Sequence, residues 1–224
     1  MLATSVDDRT YIPPKAFQYK LIIKTTLDET FPDIPTYHYI PSLIEHESCI
    51  SLTSKKCWDP TSRLKTSREE GAGVGQLTRT YNPDGSIRFD TLADVRRAHM
   101  AELKDLSWSN VYQRPDLQIK TMIIMLRTDY KKLYAIPDVI ERLKMTDSSY
   151  NAGYDSVNKK RRMCSLTKGC DPDVWDNNVG KQCLGNNTPI YGKRSACDIN
   201  KHHVSDVFDS NLPKYKRFYN FTTP

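Results

Sequence analysis

The chain has 224 residues, enough for one well-cored domain with an appendage and short of two full domains. Hydrophobic residues make up 38% and charged residues 27%, which excludes a disordered chain, and the longest apolar run, MIIML at 122–126, is too short for a membrane-spanning helix. A formal charge of +6 suits an anionic target, a bacterial envelope as well as nucleic acid.

In chain order, the opening MLATSVDDRTYIPPK has no basic stretch followed by an apolar core, so no secretory leader is expected. Pro13, Pro14, Pro32, Pro35 and Pro41 punctuate residues 1–40, which predicts an extended arm around the core with one short helix near 15–26. A helix is expected from Ser42, where Ser42 and Glu45 have the spacing of a capping box and Pro41 lies just outside. Residues 52–90 are loop-rich, with turn signals at Asp59-Pro60 and Asn82-Pro83-Asp84-Gly85. From Thr91 the period is helical, with Leu92, Val95, His99, Leu103 and Leu106 on one face. Pro115 opens a second helix through Tyr134, apolar nearly all round at 122–126 as a buried central helix would be. Pro137 opens a third, with Val139, Ile140, Leu143 and Tyr150 facing inward until Gly153, and a short helix comes next near 154–162.

Beyond Cys164 the periodicity fades into a stretch rich in Asn, Asp, Gly and Lys, which predicts an irregular lobe. The basic cluster Lys159-Lys160-Arg161-Arg162 has no interleaved aromatic residues and reads as a solvated helix end, so nucleic acid is not expected as a partner. Six cysteines stand at 49, 57, 164, 170, 183 and 197, in no zinc-binding spacing, so no metal or other cofactor is expected. Their even number predicts at least one bridge among Cys164, Cys170, Cys183 and Cys197 if the protein works in an oxidising space. A Cys49–Cys57 pair would close a small loop at a helix end; connectivity is open, and free thiols are the alternative. The expected fold class is mainly α, with a helical domain at 41–163 that includes a small irregular or β-like region. The arm at 1–40 packs on it, and the loop-rich lobe at 164–224 completes the chain.

One carboxylate stands out. On a wheel of about 100° per residue with Leu43 at zero, Glu47 falls near 40°, between Ile44 and Ile50, within the apolar stripe, while Glu45 points away. A carboxylate on such a face is costly unless paired or protonated, and a protonated one is what glycoside cleavage needs. A Glu paired with a core Arg or Tyr is the structural alternative.

Three pieces surround it in order: LIEHES at 43–48, GAGVGQLT at 71–78 and SYNAG at 149–153. Together they resemble the lytic transglycosylases of the lysozyme superfamily, and the wider wording, SREEGAGVGQLTRTY and RRMCSLTKGCDPDVW, looks like the phage-encoded members. The resemblance covers about half the chain. It implies a lysozyme-like catalytic domain, with Glu47 as the catalytic acid and base and Ser48 as the Ser that comes after it. Counting back from Gln76 puts Ser67 on the family's Ser and Gly73 on its Gly; Gly75 stands where Met is usual, and Gly71-Ala72 are shifted by one. Tyr150, Asn151 and Gly153 match the late motif, with Ser149 in place of Ala. Tyr150 would donate to Glu47 and tune it, and Gln76 would hold Glu47 or a sugar N-acetyl group. Ser48, Ser67, Gly73 and Asn151 would line the substrate.

The activity implied is cleavage of the β-1,4 bond between N-acetylmuramic acid and N-acetylglucosamine in peptidoglycan. The one Glu first protonates the leaving oxygen, then deprotonates the C6 hydroxyl to close a 1,6-anhydro ring. Glu69 and Glu70 leave a hydrolytic muramidase open, since either would be placed to contact substrate and activate water; their bland reading is exposed loop charge. A non-catalytic virion or wall-binding protein is a further alternative. The partners implied are glycan strands and other phage virion proteins. The implied location is the virion, in its tail or interior, or the host cytoplasm and then the periplasm.

Overall fold

A computed structural model describes residues 6–185 and 188–221. It is about 52% helical with a small antiparallel sheet, a mixed and mainly α architecture. The chain forms two compact units, Met1–Met125 with Asn211–Pro224 and Leu126–Ser210. The sequence predicts an arm, domain and lobe at 1–40, 41–163 and 164–224; the division between the units falls within 41–163, after Met125, and groups 211–224 with the first unit.

In the first unit, α1 (Pro14–Gln18) and α2 (Lys20–Thr30) replace the single helix expected near 15–26. The helix expected from Ser42 begins three residues earlier, as α3 (Tyr39–Ser48). Pro41 sits in its first turn, where the missing N–H would have had no helical partner anyway. There is accordingly no capping box: the Ser42 hydroxyl donates back to the His38 carbonyl at 2.7 Å. The last helix of the chain packs on α3. Asn211 donates to the Ser42 carbonyl at 3.1 Å, and Tyr219, beyond α10 (Leu212–Phe218), donates its hydroxyl to the Ala16 carbonyl at 2.7 Å. Ile23, Leu27, Phe31, Tyr39, Leu43, Ile44, Trp58 and Tyr215 are fully buried there.

The stretch expected to be loop-rich is an antiparallel sheet in the order β1 (Arg63–Lys65), β2 (Glu69–Ala72), β3 (Leu77–Tyr81) and β4 (Ile87–Asp90). Its strands are short and mostly polar, so alternation is weak in the sequence. Ala72 and Leu77 face each other across β2 and β3 and pack with Leu92, Leu106, Val111 and Leu117 in a second cluster. The helix read from Thr91 is two, α4 (Thr91–Ala98), capped by Asp90, and α5 (Met100–Leu103). The central helix, α6 (Pro115–Lys132), comes next, with Met122, Ile123 and Ile124 fully buried.

In the second unit, α7 (Val139–Ala152) starts where the Asp138 carboxylate accepts the N–H groups of Ile140 and Glu141 at 2.8 and 3.0 Å. It stops at Gly153, whose φ of 86° an L side chain would resist. After α8 (Tyr154–Ser165), the segment expected to be irregular contains a hairpin, β5 (Pro189–Tyr191) with β6 (Arg194–Ser195), and α9 (Ala196–Ser205). Two of α9's buried positions are polar, Asn200 and His203, which hides its period from a hydrophobicity pattern. Asn200 exchanges bonds with Ser148, and His203 Nδ1 lies 2.8 Å from the Asp147 carboxylate.

All six cysteines are bridged, Cys49–Cys57 in the first unit and Cys164–Cys170 and Cys183–Cys197 in the second. Among the described residues, no helix is long and apolar enough to cross a membrane, and no group of three or more His, Cys, Asp or Glu is placed to hold a metal ion.

Candidate functional site

Glu47 sits in the last turn of α3 and is partly exposed. The wheel is corrected on two points. The helix ends at Ser48 because Cys49 turns to an extended backbone, so Ile50 is off the wheel and 97% exposed. The glutamate that is buried is Glu45, 4% exposed, held by Lys214 Nζ at 2.5 Å and the Tyr215 hydroxyl at 2.9 Å. Burial pushes the Glu45 carboxyl up, and the charge and hydrogen bond of Lys214 work against it. Tyr215, buried against the same carboxylate, is pushed up well above the usual phenol range. Glu45 is thus a structural anchor, and Glu47 is the member of the pair that reaches the surface.

Ser48 braces the helix end. Its hydroxyl donates to the Ile44 carbonyl at 2.7 Å and accepts the backbone N–H of Trp58 at 3.1 Å. From Trp58 the chain runs directly to the glycine-rich turn: the Pro60 carbonyl accepts from Gln118 Nε2 at 2.9 Å, and the Ser62 carbonyl accepts the N–H of Gly73 at 2.8 Å. Gln118, fully buried on α6, holds the turn from beneath; its Oε1 accepts the Val74 N–H at 3.0 Å and its Nε2 also donates to the Val111 carbonyl. Gly73 has φ of 72°, and a Cβ there would lie 2.0 Å from Gln118 Oε1, so only glycine fits. The side chain of Gln76 donates to the Gly73 carbonyl at 2.8 Å, which is turn satisfaction. Glu47, Ser48, Gly73 and Gln76 all belong to the first unit, where Ser48 is bonded to Trp58 and Gln118 ties Pro60 to the turn. Gln118 was missed in the sequence, where one amide among the polar and charged residues of this helix has no signal of its own.

Glu70 is not the exposed loop charge its bland reading expected. It lies on β2 at 2% exposure, and its carboxylate receives Arg63 Nε at 2.7 Å, Arg79 Nη2 at 3.1 Å and the hydroxyls of Tyr81 and Tyr112 at 3.0 and 3.3 Å. Burial alone would raise its pKa, but the bonds from Arg79, Tyr81 and Arg63 outweigh it and bring it down to about 2. Arg79 in turn stacks on Trp108, 4.3 Å from the ring centre. Glu69 beside it is partly exposed, and Ser67 is exposed in the turn between β1 and β2.

Tyr150 and Asn151 belong to the second unit, at the end of α7. Tyr150 is partly buried, and Asn151 Oδ1 accepts from Asn200 at 3.0 Å. Asn200 also accepts from Lys160 Nζ at 2.6 Å, a lysine only 3% exposed. Burial, and then the charge of Lys201, bring Lys160 down to about 8. This unit has a pocket of about 280 Å³ walled by Lys144, Trp175, Lys181, Lys201 and Phe208, and none of the sequence-predicted residues lines it. Against protein-family models, curated proteins and solved structures, the chain matches nothing.

Proposed function

We propose that the chain is a peptidoglycan lytic transglycosylase of the phage-encoded kind, with Glu47 as its single acid and base. The observation that carries this reading is the contrast among three glutamates. Glu45 is buried under Lys214 and Tyr215, Glu70 is saturated by two arginines and two tyrosines, and Glu47 meets solvent at a braced helix end beside Ser48. A group that must give a proton to a glycosidic oxygen and then take one from a C6 hydroxyl has to be reachable and firmly mounted. The order LIEHES, GAGVGQLT and SYNAG supplies the chemical class.

In this reading the protonated Glu47 donates to the oxygen leaving N-acetylmuramic acid, and the sugar's N-acetyl group supports the developing positive charge. Glu47, now a carboxylate, accepts the C6 hydroxyl proton as that oxygen closes on C1. A hydrolytic muramidase uses a second carboxylate to activate water. Glu70, with its low pKa and its oxygens occupied by internal donors, is poorly suited to that task, which leaves the partly exposed Glu69 as the carboxylate a hydrolytic route would use. The biological setting proposed is wall penetration or host lysis by a phage, from the virion or from the host cytoplasm and then the periplasm.

Digestion of purified sacculi and mass spectrometry of the released muropeptides test this, since anhydro and reducing ends differ by one water. The expected products are anhydro-muropeptides, and Glu47→Gln abolishes their release while the protein stays folded. Reducing ends would make the enzyme a hydrolase, and full lysis by a folded Glu47→Gln protein would end the proposal.

A further inference from the structure

We propose that the Cys49–Cys57 bridge is a redox-controlled clamp on Glu47, which raises turnover when formed and lets the carboxylate drift when reduced. The proposal rests on reading Glu47 as the acid and base, and it adds a regulation of that site. Cys49 is the first residue past α3, and its N–H donates to the Glu45 carbonyl at 2.9 Å, closing the turn that contains Glu47. Its sulfur is bonded to Cys57, eight residues on and 2% exposed.

The next residue, Trp58, is fully buried with φ of 56°. A bulky L-residue enters that left-handed region only where its surroundings hold it there. Trp58 is held by the bridge one residue before it, by its N–H bond to Ser48 Oγ at 3.1 Å, and by the rings of Tyr19 and Tyr215 at 5.9 and 6.3 Å. The loop between the two cysteines faces solvent, with Ile50 97% exposed, and Lys15 Nζ tethers its far side at the Lys55 carbonyl. Opening the bridge removes the covalent member of this set beside the strained residue. Trp58 can then relax, Ser48 loses its N–H partner, and α3 frays from the end that carries Glu47, as unclamped helix ends do. A displacement of about 1 Å at a catalytic group is enough to cost on the order of 100-fold in rate.

The redox step is thiol–disulfide exchange. A thiolate of the pair attacks a small disulfide such as oxidised glutathione, releasing one glutathione thiol. The second thiolate then displaces the other, so that two protein thiols lose two electrons and two protons and two glutathione thiols form. A clamp of this kind keeps the enzyme weak wherever thiols stay reduced and activates it in an oxidising space.

The other two bridges belong to the second unit and serve as controls. Kinetics on soluble glycan strands and hydrogen exchange are compared for the oxidised wild type, Cys49→Ser/Cys57→Ser and Cys164→Ser/Cys170→Ser. The first double variant is expected to lose about 10-fold or more in kcat with KM within about 2-fold, the pattern of lost transition-state positioning. Its backbone amides at 47–58 lose protection while those of α6 keep it. The control variant keeps kcat within about 2-fold of wild type, reduction of the wild type reproduces the loss, and oxidised glutathione restores activity. Wild-type kcat in Cys49→Ser/Cys57→Ser, or a loss of protection spread through both units, would overturn the clamp. If that variant does not fold, reduced and reoxidised wild type with its thiols mapped by mass answers in the same terms. If the oxidised wild type releases no muropeptides at all, the functional reading fails separately, and unchanged exchange at 47–58 on reduction would still refute the clamp.

Discussion

The two glutamates of LIEHES stand two positions apart and have opposite fates. Glu45 meets Lys214 and Tyr215, side chains about 170 positions later, and both partners are as buried as it is, with Lys214 only 1% exposed. Glu45→Ala would leave that ammonium buried without its carboxylate, and breaking a buried pair in this way costs about 3–5 kcal/mol. Calorimetry should show that loss as a large drop in melting temperature, with Glu45→Gln falling between because it keeps an acceptor. A change below about 1 kcal/mol would mean the pair contributes no more than a surface bridge. Glu47→Gln, at a partly exposed site, should cost far less than Glu45→Ala. The wheel placed these two residues the other way round because it extended the helix to Ile50 and assumed a single buried face, whereas α3 is buried on nearly every side.

At the level of elements, the glycine-rich turn between β2 and β3 is shaped by a helix more than by its own composition. Gln118 reaches up from α6 to bond Val74, Pro60 and Val111, and fills the space a Gly73 side chain would need. Gly73→Ala combines a positive φ with displacement of that amide, and a loss of about 2–4 kcal/mol is expected from the strain and the unpaired buried groups together. Gln118→Leu should cost a similar amount by stranding the same backbone groups. If urea unfolding shows Gly73→Ala within about 0.5 kcal/mol of wild type, the turn is not braced as described. The glycines themselves were legible in the sequence; the brace was not, since nothing near Gln118 in the chain points to a turn more than 40 positions away.

For the molecule as a whole, acid stability should carry the mark of Glu70. Its carboxyl titrates at about 2 in the fold against an ordinary value of 4.5. The unfolded chain therefore binds more protons in that interval, so stability rises with pH across it. The contribution is fully present above about 4.5 and is lost as pH falls toward 2. Glu70→Gln should flatten the dependence of stability on pH in that window, and an unchanged acid slope would assign the acid sensitivity to other carboxylates. The arginines and tyrosines responsible come from β1, β3 and the turn before α6, so this effect belongs to the assembled sheet and not to the EEGA segment.

The sequence by itself determined the elements whose signals are local. The central helix α6 is set by Pro115 and an apolar run, and α7 by its Gly153 stop, although its start at Val139 comes from the Asp138 cap and not from Pro137, where the sequence placed it. It also determined the three motifs that suggest a chemistry, and the presence of enough cysteines for bridges. Tertiary structure alone decided the rest, because those outcomes depend on partners far along the chain. Burial of Glu45 in place of Glu47 waited on α10, and the helical nature of α9 was masked by Asn200 and His203, which are buried only because Ser148 and Asp147 receive them. The pairing of the cysteines and the return of the last helix to the first unit have the same cause. Periodicity records which residues prefer to leave water, while the partner that makes a buried polar group tolerable is known only when the chain has closed on itself.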